Sequence, residues 1–349
     1  MTVMTFHEAI RDGLDLCLRH DERVYLMGLG VPDPKGLFGS TVGLVDAHGP
    51  ARVRDMPASE NAMTGVALGS ALAGMRPVLS HQRVDFALLA MEQMVNQVAK
   101  WHYMFGGQQS VPLVIRMIVG RGWGQGAQHS QSLVSWFAHV PGLTVLAPAT
   151  PADAKGLMIA AVESDDPVVI FEHRWLFNTQ GEVPEGVHRV PLGEARVARE
   201  GSDVTLVASS YMVLEALRAA ERLAADGIEA EVIDLRTIAP LDLATIEASV
   251  NKTGHLVATD IGWTSFGVSS EVICAATERC FGALKSAPVR VASPDVPSPS
   301  APALSASFWP RARAIVDAVR AQRGLPELPP DPPPDIPLDA PDPSFVGPF

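Results

Sequence analysis

The stretch "LVIRMIVGRGWGQGAQHSQ", residues 113–131, joins an apolar run to a glycine-rich loop. The run is apolar apart from Arg116, which is typical of a strand that is buried on both faces of a parallel sheet. The glycines permit tight turns at the carboxyl end of this strand, where α/β sheets gather ligands. We therefore expect a functional loop here. His129 is its candidate functional residue, although lone histidines are more often structural.

Similar apolar runs alternate with helical patterns along the rest of the chain. The predicted strands lie at 24–28, 77–80, 143–148, 168–171, 204–210, 230–235, 255–260 and 289–293. The predicted helices lie at 6–20, 86–104, 150–164, 211–226, 241–251, 267–282 and 307–322. This rhythm predicts an α/β protein with two three-layer α/β/α domains. We place them at 1–180 and 204–322, with a linker at 181–203 and a proline-rich tail at 323–349.

Composition excludes several classes of protein. The net charge of −12 argues against a general nucleic-acid binder or a binder of anionic membranes, because the field of the protein repels phosphate. No apolar run approaches the length of a membrane span, and the N-terminus does not resemble a signal peptide. We therefore expect a cytoplasmic protein with neither nucleic acid nor membrane as partner. The three cysteines show no metal or disulfide spacing.

An acid stands at the start of one predicted helix, in "DMPASENAMTGVALGSALAG", residues 55–74. Ser59 is a suitable N-cap, and Glu60 would then complement the positive end of the helix dipole. Without a comparison to other proteins, the sequence supports only this structural role for Glu60 at the start of the helix. The small residues of the helix, such as Gly65 and Gly69, allow close packing either within the domain or against a partner.

Six segments, taken in order, resemble the β subunit of thiamine-diphosphate-dependent 2-oxoacid dehydrogenases. They are "DMPASENAMTGVALGSALAGMRPV", "DFALLAMEQMVNQVAKWHYMFGG", "GAQHSQSLVSWFAHVPGLTVLAPATPADAKGLM", "DDPVVIFEHR", "AEVIDLRTIAPLD" and "PDVPSPSAPAL". The resemblance covers residues 3–322. It implies a thiamine pyrimidine-binding domain followed by a transketolase-type C-terminal domain.

The resemblance also implies roles for individual residues. Glu60 matches the acid that contacts the aminopyrimidine ring of thiamine diphosphate and promotes removal of a proton from the thiazolium carbon. Phe86 matches the aromatic residue that packs on this ring, and Gln82 is expected to contact the cofactor as well. His129 matches a histidine in the substrate channel that moves protons during acyl transfer. The structural alternative for Phe86 is an ordinary core residue at the start of a helix.

Half of the cofactor site is missing from this sequence. Thiamine enzymes hold the diphosphate through Mg²⁺ with a GDG segment that is followed by an asparagine, and this chain contains no GDG. The resemblance therefore implies an α-type partner that carries this motif and holds Mg²⁺, in an α₂β₂ assembly. It also implies a potassium site at Leu113, Ala161, Val162, Ser164 and Asp166. A plain helix end and turn is the alternative interpretation of "VESDDP".

Departures from the family concern the substrate. Pyruvate-type members carry two acids where this chain has Leu29 and Gly30, and the run before Phe86 reads "SHQRVDF". We interpret His81, Arg83, His173 and Arg174 as candidate substrate residues, because Arg83 can hold an oxyanion with two hydrogen bonds. The alternative is that Arg83 pairs with Asp85 or with an acid of the partner.

Three functions stay open. The leading hypothesis is the β subunit of a 2-oxoacid dehydrogenase that passes an acyl group to a lipoyl acyltransferase. The second is one chain of a two-component transketolase-like enzyme that moves a ketol or acyl unit from a ketose or oxoacid to an aldehyde. The third is a non-catalytic scaffold subunit.

Overall fold

The computed structural model describes residues 1–120 and 125–331. They form two compact units, one of residues 1–120 with 136–192 and one of residues 125–135 with 193–331. The strands are β1 (Thr2–Thr5), β2 (Val24–Gly28), β3 (Val53–Arg54), β4 (Arg76–His81), β5 (Val114–Val119), β6 (Thr144–Leu146), β7 (Val168–His173), β8 (Gln180–Val183), β9 (Arg196–Arg199), β10 (Val204–Ala208), β11 (Ala230–Asp234), β12 (Thr237–Ala239), β13 (Leu256–Trp263) and β14 (Val289–Ser293).

The α-helices are α1 (Phe6–His20), α2 (Leu44–His48), α3 (Glu60–Leu72), α4 (Val84–Ala87), α5 (Trp101–Met104), α6 (Val134–Ala138), α7 (Pro151–Glu163), α8 (Tyr211–Ala225), α9 (Leu243–Thr253), α10 (Val268–Cys280), α11 (Pro302–Phe308) and α12 (Ala312–Gln322). Among the described residues, no helix has both the length and the apolar character that a membrane span requires.

The first unit is built on a parallel sheet with strand order β6-β7-β5-β4-β2-β3. Every residue of β2, β5 and β7 is buried, as the apolar runs of the sequence predict. The carboxyl ends of β4, β5 and β7 are neighbours, because β5 lies between the other two strands. Side chains that follow these three strands therefore meet at one edge of the sheet.

The second unit carries a sheet of order β14-β13-β10-β11-β9. Its pairings are parallel, except that β9 pairs antiparallel with β11. Each unit therefore combines helices with a mainly parallel sheet, and the predicted α/β class is confirmed.

Helix starts follow local sequence rules in some places and depart from them in others. Thr150 caps α7 by accepting a hydrogen bond from the amide of Asp153, with Pro151 as the first helical residue, as predicted. Ser59 precedes α3, but its side chain makes no capping hydrogen bond, so the predicted cap is wrong. Glu60 is the first residue of α3.

The predicted helix at 86–104 is interrupted. Short 3₁₀ and π segments, Leu88–Ala90 and Gln93–Val98, stand between α4 and α5. The spacing of apolar residues cannot reveal this, because hydrogen bonds that shift by one residue change the apolar face little. The predicted linker at 181–203 contains most of β8 and all of β9, so it is not structureless. The predicted domain bounds stay a prediction, and the last part of the proline-rich tail, 332–349, lies outside the described residues.

A buried ion pair crosses the centre of the first sheet. Arg116 on β5 donates two hydrogen bonds to Glu172 on β7, with Nε to Oε1 at 2.6 Å and Nη2 to Oε2 at 2.9 Å. Arg116 also donates to the hydroxyls of Ser80 and Ser40. Both charged side chains are almost fully buried. Removal of one partner would leave a desolvated charge without its counterion.

We expect Glu172→Gln to lower the free energy of unfolding by about 3–5 kcal/mol, because a neutral amide cannot compensate Arg116. Urea unfolding followed by circular dichroism measures this. Glu163→Gln is the matched control. It breaks an exposed pair with Arg189 and should cost less than about 1 kcal/mol. A loss of less than 1 kcal/mol for Glu172→Gln would contradict a central role of the buried pair.

Candidate active site

Glu60 and the end of β4 are joined by a short chain of polar contacts. The hydroxyl of Thr64 donates to the carbonyl of Glu60 at 2.8 Å, one turn back along α3. The Nε2 atom of His81, the last residue of β4, lies 3.4 Å from the same hydroxyl oxygen. Because the only proton of this hydroxyl is directed to Glu60, Nε2 of His81 is the donor in the second contact. His81 is therefore the neutral Nε2–H tautomer.

Burial keeps His81 neutral. Its side chain is 2% exposed, and desolvation lowers the pKa of its imidazole from 6.5 to about 4. Its Nδ1 atom is buried and has no hydrogen-bond partner among the described residues. The structure thus places this predicted substrate residue directly behind the first turn of α3.

Gln82 and Phe86 follow His81 along the chain. Gln82 is half-buried and donates to the carbonyl of Leu29 at 3.1 Å. Phe86 is half-buried on α4, and α4 packs against α3. The backbone N–H of Gly30 donates a hydrogen bond to Oδ1 of Asp55 at 2.9 Å, and Asp55 lies in the segment that leads into α3. The carboxylate of Glu60, the amide of Gln82 and the ring of Phe86 therefore stand on α3, just after β4 and on α4, three elements that pack against one another.

Gly120 connects the ends of the three central strands. It follows β5, and its carbonyl accepts a hydrogen bond from Nη1 of Arg83 at 2.9 Å. Its φ of +77° favours glycine, and a Cβ atom at this position would lie 2.5 Å from Nε2 of His173. Only a residue without a side chain allows this approach. Arg83 after β4 and His173 at the end of β7 therefore meet at Gly120.

Arg174 lies next to this meeting point. Its guanidinium carbon is 5.0 Å from the ring centre of Phe38 and 5.5 Å from that of Phe177. Arg83 and Arg174 are both buried, and this burial lowers the pKa of each to about 10. The charge of Arg83 further lowers the pKa of Arg174, whereas Asp85 raises that of Arg83. Both guanidinium groups remain charged at neutral pH.

His129 belongs to the second unit. Its amide donates to the carbonyl of Gly126 at 3.1 Å, which closes a turn, and its side chain is half-buried. Ser130 donates to the carbonyl of Gln125, and Ser298 donates to the carbonyl of Ser130. The described part of the loop is therefore fixed within its own unit. Residues 121–124 of the predicted loop lie outside the described residues.

Two of the predicted potassium ligands, Val162 and Ser164, contact Arg76. Its Nη1 atom donates to the carbonyls of Val162 at 3.0 Å and Ser164 at 2.8 Å. Each carbonyl oxygen keeps a second lone pair. The potassium site, with Leu113, Ala161 and Asp166 as its other members, stays a prediction. Within the described residues, no cluster of three or more histidine, cysteine or acidic side chains could hold a metal ion.

Sequence reasoning missed four residues that organise these sites. Thr64, Gly120 and Phe38 contact the predicted residues from distant positions in the chain, and Phe177 contacts Arg174 from the following turn. Gly120 carried a weak signal, because it opens the glycine-rich loop after a buried strand. Phe38 carried none, since nothing in its neighbourhood in the sequence links it to Arg174.

Because folding keeps His81 neutral, we expect the free energy of unfolding to depend on pH through His81. The pKa of His81 is about 4 in the folded chain and 6.5 in the unfolded chain, so the unfolded state binds more protons between these values. The contribution of His81 is complete above pH 6.5 and falls as the pH decreases. Wild type should therefore lose about 2 kcal/mol more than His81→Gln between pH 7 and pH 5.

Urea unfolding at both pH values measures this difference. Gln keeps a side-chain N–H donor for Thr64 but does not titrate. His20→Gln, at an exposed helix end, is the control and should follow wild type. Equal pH dependence of wild type and His81→Gln would show that His81 is not held neutral.

Comparison with known proteins agrees with this architecture. The family model of the transketolase pyrimidine-binding domain matches residues 2–180, and that of the transketolase C-terminal domain matches residues 193–315. A solved structure described as a split-gene transketolase, an inactive β4 tetramer, has a TM-score of 0.73 and 25% identity. The match covers 92% of this chain and 99% of that one.

The relatives of this chain identify one group of proteins within the transketolase-type families. The β subunit of acetoin:2,6-dichlorophenolindophenol oxidoreductase from Cupriavidus necator is 42% identical over 322 residues, covering 89% of this chain and 95% of the relative. The mitochondrial β subunit of the pyruvate dehydrogenase E1 component is 40% identical in Bos taurus, covering 91% of this chain and 90% of the relative. Its Arabidopsis thaliana β-1 counterpart is 42% identical, with coverages of 92% and 88%. The predicted resemblance is confirmed, and the chain belongs to the family of 2-oxoacid dehydrogenase E1 β subunits, built from the two transketolase domains.

Proposed function

We propose that this chain is the β subunit of a thiamine-diphosphate-dependent enzyme that oxidatively decarboxylates a 2-oxoacid and passes the acyl group to a lipoyl group. The observation that carries the proposal is the position of Glu60. This half-buried carboxylate begins α3, within a chain that matches 2-oxoacid dehydrogenase β subunits along most of its length.

The residues at the start of α3 fit an aminopyrimidine ring. Glu60 offers a carboxyl group to a ring nitrogen, and the half-buried Phe86 offers an apolar face. Gln82 adds a polar group from the end of β4. When bound, thiamine diphosphate supplies the nucleophile and the electron sink for cleavage next to a carbonyl. The role of Glu60 is to exchange a proton with the ring, and His81 with Thr64 fixes the helix turn that carries Glu60.

Other parts of the site must come from a partner. The sequence has no GDG segment, so an α-type chain with GDG and a later asparagine would hold Mg²⁺ and the diphosphate, in an α₂β₂ assembly.

His129 of this chain would serve proton transfer to the substrate or the lipoyl group. A lipoyl acyltransferase would then receive the acyl group. We keep potassium as a further proposed cofactor and the cytoplasm as the proposed compartment.

Arg83, His173 and Arg174 are proposed to determine the substrate. Arg83 and His173 meet at Gly120, and Arg174 follows directly after β7. His81 acts through Thr64, so its proposed role is to position Glu60 rather than to touch the substrate.

We expect Glu60→Gln to lower the thiamine-dependent turnover of the co-expressed α–β complex about 100-fold or more, because an amide cannot exchange the proton. Reduction of an artificial electron acceptor measures turnover, and circular dichroism checks the fold. Glu22→Gln, in a surface turn, is the control and should retain full activity. Undiminished turnover in Glu60→Gln would refute the catalytic role of Glu60 and would support the scaffold alternative.

A second candidate function is ketol or acyl transfer to an aldehyde. The similarity to a split-gene transketolase supports it, as do the polar residues after β4. We expect the complex to reduce the artificial acceptor with a 2-oxoacid and to be inactive with a ketose donor and an aldehyde. The opposite pattern would favour the transferase. A panel of 2-oxoacids and ketoses, assayed on one preparation of the complex, separates the two functions.

A further inference from the structure

A proline-rich segment, residues 325–331, lies on the surface of the second unit. It reads "LPELPPD" and forms neither a helix nor a strand. The match to the transketolase C-terminal domain ends at residue 315, before this segment begins. The proposed function uses none of its residues. Neither the family fold nor the candidate active site therefore accounts for the contacts that the segment makes with α8 and α12.

We infer that the face formed by α8 and α12 is a binding site for a proline-rich acidic peptide, and that residues 325–331 of the same chain occupy it. The donors on this face are Arg222, Arg313 and Arg320. The acceptors on the segment are backbone carbonyls and the carboxylate of Asp331. Arginine only donates hydrogen bonds and proline has no backbone N–H, so a chain that presents carbonyls and an acid is complementary to this face.

Arg313 on α12 holds the middle of the segment. Its Nη1 and Nη2 atoms donate to the carbonyls of Pro329 and Leu328, each at 2.7 Å. Asp317, one turn further along α12, accepts from Nε of Arg313 at 2.8 Å and so orients the guanidinium group. The planar fork of an arginine can serve two neighbouring carbonyls at once, which an amine on a flexible stem does less well.

Arg320 holds the start of the segment. Its Nε atom donates to the carbonyl of Pro326 at 3.1 Å. Arg313 and Arg320 are seven residues apart on α12, so they share a helix face at a separation of about 10 Å. Three residues of an extended proline-rich chain span about 9 Å, which matches the distance between the carbonyls of Pro326 and Pro329. Gly324, with a φ of +67°, reverses the chain so that it runs back along α12.

Asp331 links the two helices. Its carboxylate accepts hydrogen bonds from Nη1 of Arg222 on α8 at 2.9 Å and from Nη1 of Arg313 on α12 at 3.3 Å. The hydrogen bond from Arg222 is the main cause that lowers the pKa of Asp331, so the carboxylate is charged at neutral pH. A negative charge between two arginines offsets their mutual repulsion. The acid at the end of the segment thus joins α8 to α12.

Two acids of the same face provide a competing explanation. Asp317 pairs with Arg313, and Asp226 pairs with Arg320. In our assignment these acids orient the guanidinium groups, and the other N–H groups of the arginines bind the segment. A tethered segment meets its site at an effective concentration in the millimolar range, so docking predominates only if the free peptide binds with a Kd of about 1 mM or lower. If the two acids were the whole explanation, the free peptide would not bind.

Proteolysis of the full chain tests docking. The bond after Glu327 lies between the carbonyls that Arg320 and Arg313 hold, and a glutamate-specific protease must lift the segment from the face to cut it. Arg313→Gln should raise the rate of cleavage at this bond about tenfold, because it removes the hydrogen bonds to two carbonyls. Arg279→Gln, at an exposed arginine of the same unit, is the matched control and should leave the rate unchanged. Mass spectrometry measures the cleavage.

Arg313→Lys separates lost contacts from lost folding. Lysine keeps the charge but not the planar fork, so cleavage after Glu327 should accelerate less than in Arg313→Gln. Circular dichroism checks that the variants fold. Unchanged cleavage in Arg313→Gln overturns the inference.

A synthetic peptide with the sequence of residues 325–331 tests the site itself. A chain that ends at Gly324 keeps every described helix and strand and removes the occupant. NMR titration should show that this shortened chain binds the peptide with a Kd of about 1 mM or lower. The full chain and a chain that ends at Asp331 should bind it at least tenfold more weakly, because their own segment fills the site. Arg313→Gln in the chain that ends at Gly324 should weaken binding about tenfold.

Two results of the titration overturn the inference. One is no saturation of the chain that ends at Gly324 at about 5 mM peptide. The other is equal binding by the chain that ends at Asp331. Sedimentation tests whether the occupant belongs to the same chain, because the full chain and the chain that ends at Gly324 should form assemblies with the same number of subunits. A smaller assembly after removal of residues 325–349 would place the segment on a second copy and would overturn the assignment within one chain.

Discussion

The parallel sheet of the first unit imposes the constraint on which the candidate site depends. Its central strands are buried on both faces, so a polar side chain within them needs a hydrogen-bond or charge partner inside the sheet, because water cannot reach it. Arg116 and Glu172 meet this requirement inside the sheet. Most other candidate site residues with polar side chains stand where the strands end, and parallel pairing gathers those ends at one edge.

This constraint explains why the predicted residues form two groups. Glu60, Gln82 and Phe86 stand on or next to α3, β4 and α4, which pack against one another, and Thr64 with His81 joins α3 to β4. Arg83, His173 and Arg174 collect around Gly120. The first group has the residue types that suit a cofactor ring, and the second has the charge that suits an anionic substrate. The close packing of His173 on Gly120 excludes any larger residue at that position.

Several features could be predicted because they depend on neighbours in the sequence. The cap of α7 by Thr150 and the strand at Val114–Val119 follow from local patterns. Two predictions were wrong for equally physical reasons. Ser59 makes no cap, because its backbone, with ψ of 71°, lies outside the extended conformation that N-cap residues such as Thr150 adopt. The long helix after Phe86 contains a π segment, which the spacing of apolar residues does not reveal.

The sequence by itself determined the α/β class, the family and the candidate roles of Glu60 and His129. Apolar periodicity and ordered motifs can be read from residues that are close together in the sequence. Tertiary structure decided which residues act together. Thr64 and His81 are 17 positions apart, and Arg83 and Gly120 are 37 positions apart, yet each pair is in contact. Such contacts arise from strand order and helix packing, which bring distant residues together. A local stretch of sequence does not specify these contacts, so only the folded chain shows which distant residues meet.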